Sequence, residues 1–481
     1  MNNNKNSVNL QIKKSKKIVM SEPLPKFQRI VTLQERRFLM SPCSHISLGL
    51  KLKGDISIEK LRKSVNMMMK TYPLFGVRIE WNRDIPYSTT EGAALVPIKI
   101  YKRKSDLTWL EALNNEHRIP IKPSVGPLTR IILVKESNIS ELFIFCHHSI
   151  CDGRSLELAL REILLNLGDI NRIPPLISKK PPQTPEIFPL DVSNEYFKSW
   201  FIGRLNNKWQ KEKVLFDEED LDNIYESFWK NSRYCVELVT LNKIETKRFV
   251  DICRTNDVTV NSALIVAFIK ARWEAYTPYN GKVKIGTAVD TRNRLRIEIG
   301  DTVGLYAGGL IYKFKYIQDR SFWENVREYH KVVKKNLNDN NVFDVIYNQF
   351  SLDPTLSDAM LFAMIGNQVE PNQSRYDKIS VFAKSHNGLV TKYLKKMSNN
   401  ITDIMTTNLG RLNIADETNG IKIERSFFTP SSGLKLEIVL GVSTAGGRLT
   451  ISLNYHNGYF NGNNIKKIRN RAEIILKNLL I

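Results

Sequence analysis

The sequence predicts a mixed α/β (α+β) protein that is built as two lobes. At 481 residues the chain is too long for one ordinary hydrophobic core. Segments with the two-residue period of strands and segments with the three- to four-residue period of helices occur on both sides of a proline-rich stretch. Their order is irregular, which argues against the regular strand–helix alternation of a doubly wound sheet.

The proline-rich stretch divides the chain. Residues 172–191, RIPPLISKKPPQTPEIFPLD, contain six prolines, and proline fits neither a helix interior nor a central strand. Before Glu22 the chain has five lysines and no acidic residue, which favours a disordered tail. We therefore predict a disordered basic arm at 1–20, an N-terminal lobe at 21–172, a linker at 173–191 and a C-terminal lobe at 192–481.

The elements of the N-terminal lobe follow from the spacing of apolar residues. Alternate apolar residues predict a half-buried strand, with Ile46, Leu48, Leu50 and Leu52 on one face. Apolar residues three and four apart predict an amphipathic helix that ends at Pro73, with Ile58, Leu61, Val65, Met68 and Tyr72 on one face. The runs LTRIILVK and ELFIFCHH are predicted as a hairpin or as neighbouring buried strands. SLELALREILLNLG is predicted as a helix that stops at Gly168.

The C-terminal lobe mixes the same elements. Helices are predicted at 243–256, 261–275, 320–337 and 463–479. The segment GRLTISLNY predicts a strand, with Leu449, Ile451, Leu453 and Tyr455 on one face.

Composition limits the class of protein. Hydrophobic residues make up 42% and charged residues 25% of the chain, the profile of a soluble globular protein. No apolar run approaches the ~18 to 20 residues of a membrane-spanning helix, and the start has no apolar signal-peptide core. The five scattered cysteines form neither a disulfide framework nor a paired zinc pattern. We therefore expect a cytoplasmic protein, and we expect it to be a monomer.

The formal net charge of +22 calls for an anionic partner. Nucleic acid, an anionic membrane, a phosphorylated ligand and an acidic carrier protein all fit this charge. No nucleic-acid motif and no array of basic and aromatic residues is visible. We predict no nucleic-acid partner, and a basic nucleic-acid-binding protein stays a rival hypothesis that rests on net charge alone.

The stretch FIFCHHSICDGRSLEL, residues 143–158, carries the candidate chemistry. The chain has seven histidines, so two adjacent ones followed by Asp and Gly are improbable by chance. A neutral His148 after a strand could take a proton from a hydroxyl or an amine. Asp152 could form an internal ion pair that holds the loop, and Gly153 lets the backbone turn without a Cβ clash.

Two other interpretations of the same stretch stay open. Cys146 and Cys151 flank the histidines and suggest a metal half-site, but paired ligand spacing is missing and no metal is predicted. The other interpretation is a buried histidine at a strand end whose ring nitrogens are hydrogen-bonded within the protein. It suits His147 alone better than it suits the two histidines together.

The segment HHSICDG resembles the HHxxxDG motif of the CoA-dependent acyltransferase superfamily. That superfamily includes chloramphenicol acetyltransferase, condensation domains of nonribosomal peptide synthesis, alcohol O-acetyltransferases and mycobacterial polyketide-associated acyltransferases. Weaker similarities follow in the family's order: SIEKLRKSVNMMMKTYPLFGVRIE, GPLTRIILV, TAVDTRNRL with Asp290 and Arg292, VGLYAGG, and TTNLGR with Asn408 and Gly410.

The resemblance implies two chloramphenicol-acetyltransferase-like lobes in a V with a central tunnel. His148 would be the general base in that tunnel, and His147 would pack behind it. Asp152 would pair with Arg292 or Arg78. Asn408 and Gly410 would make contacts across the tunnel, where Asp290 also lies.

We expect Cys151 to be a buried small residue and not a nucleophile. The other histidines are expected to be surface or core residues: His45, His117, His330, His386 and His456.

The resemblance also implies the reaction. We expect a stand-alone acyltransferase that moves an acyl group from a thioester to a small alcohol or amine. No cofactor would be bound permanently, since acyl-CoA or a phosphopantetheinyl acyl group on a carrier protein would serve as cosubstrate. The alternatives are a condensation-type domain that forms amide bonds between carrier-bound substrates and a non-catalytic carrier-docking relative.

Overall fold

The structure of the chain is a computed structural model. It describes residues 24–173, 175, 177, 180–190, 192, 196–275, 282–366, 377–385 and 401–481. The predicted basic arm at 1–20, a part of the predicted linker and His386 lie outside the described residues.

Strands and helices alternate irregularly along the described residues. The strands are β1 (Gln28–Ile30), β2 (His45–Lys53), β3 (Arg78–Asn82), β4 (Ile85–Thr89), β5 (Ile98–Lys102), β6 (Thr129–Glu136), β7 (Ile139–His147), β8 (Arg233–Leu241), β9 (Lys282–Asp290), β10 (Ala307–Lys315), β11 (Thr402–Arg411), β12 (Glu417–Thr418), β13 (Ile421–Thr429), β14 (Leu436–Ala445) and β15 (Arg448–Asn457). The helices are α1 (Leu33–Leu39), α2 (Ile58–Thr71), α3 (Thr108–His117), α4 (Gly153–Gly168), α5 (Tyr196–Glu212), α6 (Glu218–Asn231), α7 (Lys243–Thr255), α8 (Val260–Ala275), α9 (Phe322–Asn336), α10 (Asp339–Ser351), α11 (Pro354–Gly366), α12 (Asp377–Lys384) and α13 (Gly462–Asn478).

The first large sheet holds the strand that leads to the histidine pair. Its strand order is β12–β13–β2–β7–β6–β5, and β5 and β6 are its parallel pair. Strands β6 and β7 pair antiparallel along their whole length, as the predicted hairpin requires. Strands β12 and β13 come from residues 417–429, so the late part of the chain completes the sheet that contains β2. The predicted domain boundaries themselves stay a prediction.

The predicted strand and helices of the N-terminal half are confirmed. Strand β2 spans the predicted alternating residues, helix α2 ends one residue before Tyr72, and helix α4 ends at Gly168. The expectation that β2 is half-buried is wrong. Ser47 on its second face is buried, and the ring of Phe143 lies against Gly49, because the sheet is covered on both sides at this point.

The second large sheet has the order β10–β9–β11–β14–β15–β8. Helices α8 and α13 pack together, and their apolar residues share one core with this sheet. The four predicted helices of this half correspond to α7, α8, α9 and α13 within two residues at each end, and the predicted strand is β15. A smaller sheet has the order β1–β4–β3.

The described part of the predicted linker packs against both halves. Gln183 is buried and donates to the side chain of Gln34 on α1 at 3.1 Å, and its amide oxygen accepts from the Thr291 hydroxyl that follows β9. Further along, the Phe188 ring lies 4.7 Å from that of Phe343 on α10. Gln183 and Phe188 of this segment are therefore buried between elements of the two halves, while other residues of the segment, such as Leu190, are exposed.

No single described helix is long and apolar enough to cross a membrane. Helices α7 and α8 reach that length and apolar composition only when they are taken together, and the chain bends by 99° between them.

Candidate active site

The histidine pair lies where strand β7 ends and helix α4 begins. His147 is the last residue of β7, and its backbone N–H donates to the Leu128 carbonyl at 2.9 Å. Helix α4 starts at Gly153, with Asp152 as its N-cap. The five residues from His148 to Asp152 therefore form a short loop that is held by regular structure at both ends.

His148 is half-buried and has one ring nitrogen fixed by the backbone. Its Nδ1 lies 2.7 Å from the Cys151 carbonyl oxygen, and its own backbone N–H donates to the Ser44 carbonyl at 2.7 Å. A carbonyl oxygen only accepts hydrogen bonds, so Nδ1 carries the proton. Nε2 is left with its lone pair, which is the form that a general base needs. The ring of Phe38 on α1 lies 4.2 Å from the His148 ring and limits its rotation.

The surroundings keep His148 neutral. Burial lowers the pKa of the imidazole below its usual 6.5, and the hydrogen bond to Cys151 and the charge of Asp152 offset only part of this. The cationic side chain of Arg37 lowers the pKa of His148 further. His148 is therefore an unprotonated base at neutral pH.

His147 has the opposite tautomer and no access to solvent. The Ser149 backbone N–H donates to its Nδ1 at 3.3 Å, so Nδ1 is the unprotonated nitrogen. The Ser149 hydroxyl contacts the same nitrogen at 2.8 Å. Burial lowers the pKa of His147 to about 3. The adjacent histidines are therefore placed for different tasks, and His147 packs behind the loop.

Asp152 is the centre of a buried hydrogen-bond network between the two halves of the chain. Arg292 donates to both of its carboxylate oxygens, at 2.9 and 3.1 Å. The Ser155 backbone N–H and hydroxyl donate to Oδ1 at 2.8 and 2.9 Å, and the Tyr306 N–H donates to Oδ2 at 2.9 Å. Burial alone raises the pKa of this carboxyl, but Arg292 and the other donors more than reverse that, so the pKa is lowered.

Of the two predicted partners for Asp152, the structure brings Arg292 to it and not Arg78. Arg292 also donates to Asp290 at 3.1 Å, and its guanidinium lies 4.8 Å from the centre of the Tyr306 ring. Arg78 instead donates to the Glu91 carbonyl at 2.6 Å. Asp290 is half exposed, so it is the outer end of a short chain of charges that begins at Asp152.

Two residues of this network have no motif that singles them out in the sequence. The Ser155 hydroxyl shares its one proton between Asp152 Oδ1 and the Gly304 carbonyl oxygen, which lies 2.8 Å away, and it accepts from the Gly304 N–H at 3.0 Å. Tyr306 lies in the VGLYAGG segment, but its contribution is a backbone N–H, which any residue except proline would supply. The one sequence feature that could have indicated Ser155 is its position three residues after Asp152, where an N-cap side chain accepts a hydrogen bond from the backbone N–H.

Gly153 is required by close packing and not by an unusual backbone angle. A Cβ at this position would lie 2.7 Å from Leu409 Cδ2 and 2.8 Å from Phe428 Cζ. Both side chains come from strands β11 and β13, so a glycine here lets those strands approach the start of helix α4. The expectation that Gly153 permits a turn without a Cβ clash agrees with these contacts, although they come from packing against β11 and β13 and not from the turn itself.

Asn408 and Gly410 flank the leucine that contacts Gly153. The Asn408 side chain accepts from the Gly410 N–H at 2.8 Å and donates to Asn261 at 3.2 Å. Gly410 has a φ of 66°, which glycine adopts readily, and strand β11 is irregular there. These residues form a turn next to the start of α4, and their predicted contacts with a substrate stay a prediction.

The remaining candidates in the loop do not support nucleophilic or metal chemistry. Cys151 is fully buried, and burial raises the pKa of its thiol well above the usual value, so it stays protonated. Within the described ranges, no three or more His, Cys, Asp or Glu side chains are grouped so that they could hold a metal ion.

The other described histidines are core residues. His45, His117, His330 and His456 are all buried. The centre of the His45 ring lies 5.5 Å from that of the His117 ring and 5.6 Å from that of the His147 ring. The three rings form a buried cluster next to the histidine loop.

Comparisons with known proteins find similarity to parts of two synthetases and to several solved structures. No family model matches the sequence. Cyclosporin synthetase from Tolypocladium inflatum is 21% identical over 313 residues, which are 59% of this chain and 2% of that protein. A polyketide synthase–nonribosomal peptide synthetase from Pyricularia grisea is 28% identical over 143 residues, which are 29% of this chain and 4% of that protein. The chain thus matches a small part of the length of these curated relatives.

Solved structures resemble the chain over most of its length. Trichothecene 15-O-acetyltransferase from Fusarium sporotrichioides has a TM-score of 0.60 at 10% identity, with 94% of this chain and 95% of that chain covered. Polyketide synthase associated protein 5 from Mycobacterium tuberculosis has a TM-score of 0.57 at 13% identity, with 94% and 98% covered. The first condensation domain of the calcium-dependent antibiotic synthetase has a TM-score of 0.58 at 10% identity, with 94% and 96% covered. The predicted fold is confirmed: over most of its length the chain shares the two-lobed α/β fold of these three structures.

Proposed function

We propose that the chain is an acyltransferase that moves an acyl group from a thioester to an alcohol or an amine. One observation carries the proposal: the Cys151 carbonyl fixes the proton of His148 on Nδ1 at 2.7 Å, which leaves Nε2 as a free base on a half-buried ring. The fold supports the same conclusion, because solved structures with this fold include an acetyltransferase and a condensation domain.

The proposed mechanism needs one base and no covalent intermediate. His148 Nε2 accepts the proton of the acceptor hydroxyl or amine while the acceptor oxygen or nitrogen bonds to the thioester carbonyl carbon. The tetrahedral adduct then collapses, the carbon–sulfur bond breaks, and the imidazolium returns its proton to the leaving thiolate. The protonated thiol of Cys151 plays no part in these steps.

Asp152 serves this mechanism as a positioning residue. Its carboxylate is fully engaged by Arg292, Ser155 and Tyr306, so it has no free acceptor position for a substrate proton. The pair with Arg292 instead joins the start of helix α4 to the segment after β9. The loop that presents His148 is thereby held to the second half of the chain.

The donor in this proposal is acyl-CoA or a phosphopantetheinyl acyl group on a carrier protein, and no cofactor stays bound. The acceptor is a small alcohol or amine that reaches His148 through the predicted tunnel between the lobes. A cytoplasmic location and a monomeric state stay predictions.

Amide-bond formation between carrier-bound substrates is the second candidate function. It is favoured by the sequence matches, because one curated relative is named a cyclosporin synthetase and the other a polyketide synthase–nonribosomal peptide synthetase. It uses the same base, with an amine on a second carrier arm as the acceptor.

Thiol release tests the two functions in one experiment. Acyl-CoAs of several chain lengths are offered with a panel of alcohols and amines, and the same acyl groups are offered on a phosphopantetheinylated carrier protein. Transfer from either donor to a free alcohol or amine supports the first function, whereas transfer that occurs only when the amine is offered on a second carrier protein supports the second. No transfer with either donor would contradict both and leave a non-catalytic carrier-docking role.

A further inference from the structure

Helix α1 brings an aromatic ring against the proposed base. The ring centre of Phe38 lies 4.2 Å from that of His148, and the two ring planes are inclined by 35°. The Cys151 carbonyl holds one edge of the imidazole through Nδ1 at 2.7 Å, whereas Phe38 lies against one of its faces. The last torsion of a histidine side chain is only broadly confined, so one hydrogen bond leaves the ring room to turn. The contact with Phe38 therefore restricts the direction in which Nε2 points.

The place of Phe38 depends on how α1 is attached to the rest of the chain. The helix has seven residues, and isolated helices shorter than ~12 to 15 residues are marginal in water. Thr32 and Glu35 close its first turn, since each side chain accepts from the backbone N–H of the other residue. Arg36 is buried and pairs with Asp358 on α11 at 2.7 Å. Tertiary contacts of this kind, and not the helix itself, hold Phe38 where it is.

Gln34 ties α1 to the strand end that also holds the histidine loop. Its side-chain amide donates to the carbonyl of Ala307, the first residue of β10, at 2.7 Å. The preceding residue, Tyr306, donates its backbone N–H to Asp152 at 2.9 Å. Gln34 is 6% exposed, and its amide oxygen accepts from Gln183 at 3.1 Å. Loss of either bond would leave a buried polar group unpaired, so the attachment is specific.

Gln34 and Phe38 are four residues apart and therefore lie on the same face of α1. This face closes a circuit of contacts around the candidate base. The circuit runs from His148 along its loop to Asp152, then to the start of β10, and back through Gln34 and Phe38 to the His148 ring. The start of β10 thus holds the loop at one end and, through α1, the imidazole at the other.

We propose that Gln34 and Phe38 are positioning residues for the base. Phe38 supports one face of the His148 ring, so that Nδ1 keeps its bond to the Cys151 carbonyl and Nε2 stays open to the acceptor. Gln34 in turn keeps Phe38 in place. The inference rests on the proposed acyl transfer for its effect on turnover, whereas the orientation of the ring is measurable without turnover. Neither side chain takes part in the chemical steps.

Substitution of Phe38 tests the contact with the base. Phe38→Ala should lower kcat in thiol release about 10- to 100-fold and leave KM nearly unchanged, because a misplacement of ~1 Å can cost a factor of about 100. Phe38→Leu keeps an apolar side chain against the imidazole and should retain most of kcat. Phe322→Ala is the matched control, because Phe322 is likewise a half-buried phenylalanine in a helix, and its ring contacts Trp323 on α9. It should leave kcat unchanged.

The tautomer of His148 is the second readout, and it needs no substrate. Nitrogen NMR of a chain with isotope-labelled histidines shows which ring nitrogen carries the proton, and the His148 signals are assigned by their loss in His148→Ala. At neutral pH we expect a protonated Nδ1 and an unprotonated Nε2 in the unsubstituted chain. Phe38→Ala should give a mixture of both tautomers, because the freed ring leaves the Cys151 carbonyl for part of the time. A general loss of stability would not change the tautomer of a folded chain.

Gln34→Met tests the attachment of the helix. The substitution keeps the length of the side chain and removes the hydrogen bond to Ala307. It should lower kcat by a smaller factor than Phe38→Ala. In the double variant it should add almost nothing to the loss that Phe38→Ala causes, because both substitutions act through the same ring. Losses of kcat that multiply in the double variant would overturn the role of Gln34.

The outcomes separate this inference from the proposed function. An unchanged kcat and an unchanged tautomer in Phe38→Ala overturn the positioning role and leave acyl transfer standing. A loss that appears in KM alone overturns it as well, since Phe38 would then contact the substrate and not act through the base. A changed tautomer in Phe38→Ala, with no turnover of any thioester by the unsubstituted chain, supports the positioning role and contradicts the proposed function.

Discussion

Replacement of Asp152 by asparagine removes the charge that pairs with Arg292 and keeps the size of the side chain. Asparagine is as good an N-cap as aspartate, so helix α4 keeps its first hydrogen bond from the Ser155 N–H. With Oδ1 retained for that bond, the new amide nitrogen replaces Oδ2. It then faces two donors, Arg292 Nη1 and the Tyr306 N–H, which lie 2.9 Å from Oδ2 in the native chain.

The expected cost follows from the burial of both partners. The side chains of Arg292 and Asp152 are 5% and 8% exposed, so solvent screens the pair little. Removal of one member of a buried pair leaves the other charge without a partner, which costs about 3–5 kcal/mol. We therefore expect Asp152→Asn to lower the free energy of unfolding by about that amount.

Urea unfolding, followed by tryptophan fluorescence and by circular dichroism, measures this cost. Asp290→Asn is the matched control, because Asp290 contacts the same guanidinium at 3.1 Å but is 50% exposed. An exposed contact of this kind contributes about 0–1 kcal/mol. The double variant Asp152→Asn, Arg292→Met should be more stable than the sum of the single effects predicts, since it leaves no buried charge unpaired.

Two results would refute this reasoning. An unchanged urea midpoint in Asp152→Asn, together with lost turnover, would show that Asp152 acts in the chemistry and not in positioning. Strict additivity in the double variant would show that the two side chains do not stabilise each other.

Three further predictions concern the same loop. Gly153→Ala places a Cβ 2.7 Å from Leu409 Cδ2, so the free energy of unfolding should fall by about 1–3 kcal/mol. Adding Leu409→Ala to Gly153→Ala should restore part of the lost stability. If urea unfolding shows no loss of stability for Gly153→Ala alone, the packing around Gly153 is not close. Cys151→Ala should retain turnover in the thiol-release assay, because the thiol is buried and protonated; a large loss would make it a nucleophile. The acid limb of the pH profile of kcat/KM should be centred below 6.5, since a base loses activity as pH falls through its pKa and the pKa of His148 is lowered from 6.5. An acid limb centred above 6.5 would contradict a lowered pKa for His148 as the base.

Apolar periodicity predicted the elements that carry the loop. Strand β2 and helices α2 and α4 were correct because side-chain spacing reports directly which face of an element is buried. The same spacing does not report which strand pairs with which. That is why the pairing of β13, from residues 421–429, with β2 was not visible in the sequence.

The candidate site could be proposed from the sequence where one short motif contains its residues. His148, Asp152 and Gly153 lie within six residues, so their proximity needs no fold. Phe38 contacts the His148 ring from a helix more than a hundred residues earlier in the chain, and no local pattern announces it. The choice between Arg78 and Arg292 likewise depended on the tertiary fold, since both are arginines next to strand ends in the sequence.

The direct test of the proposed chemistry is the turnover of His148→Ala, measured by thiol release with the best acyl donor and acceptor. His148 is half-buried and its ring makes one hydrogen bond within the protein, so the urea midpoint should stay close to that of the unsubstituted chain. We expect kcat to fall by about 10²–10⁴, the usual contribution of a general base. A variant that folds normally and turns over at nearly the original rate would contradict the role of His148 as the base.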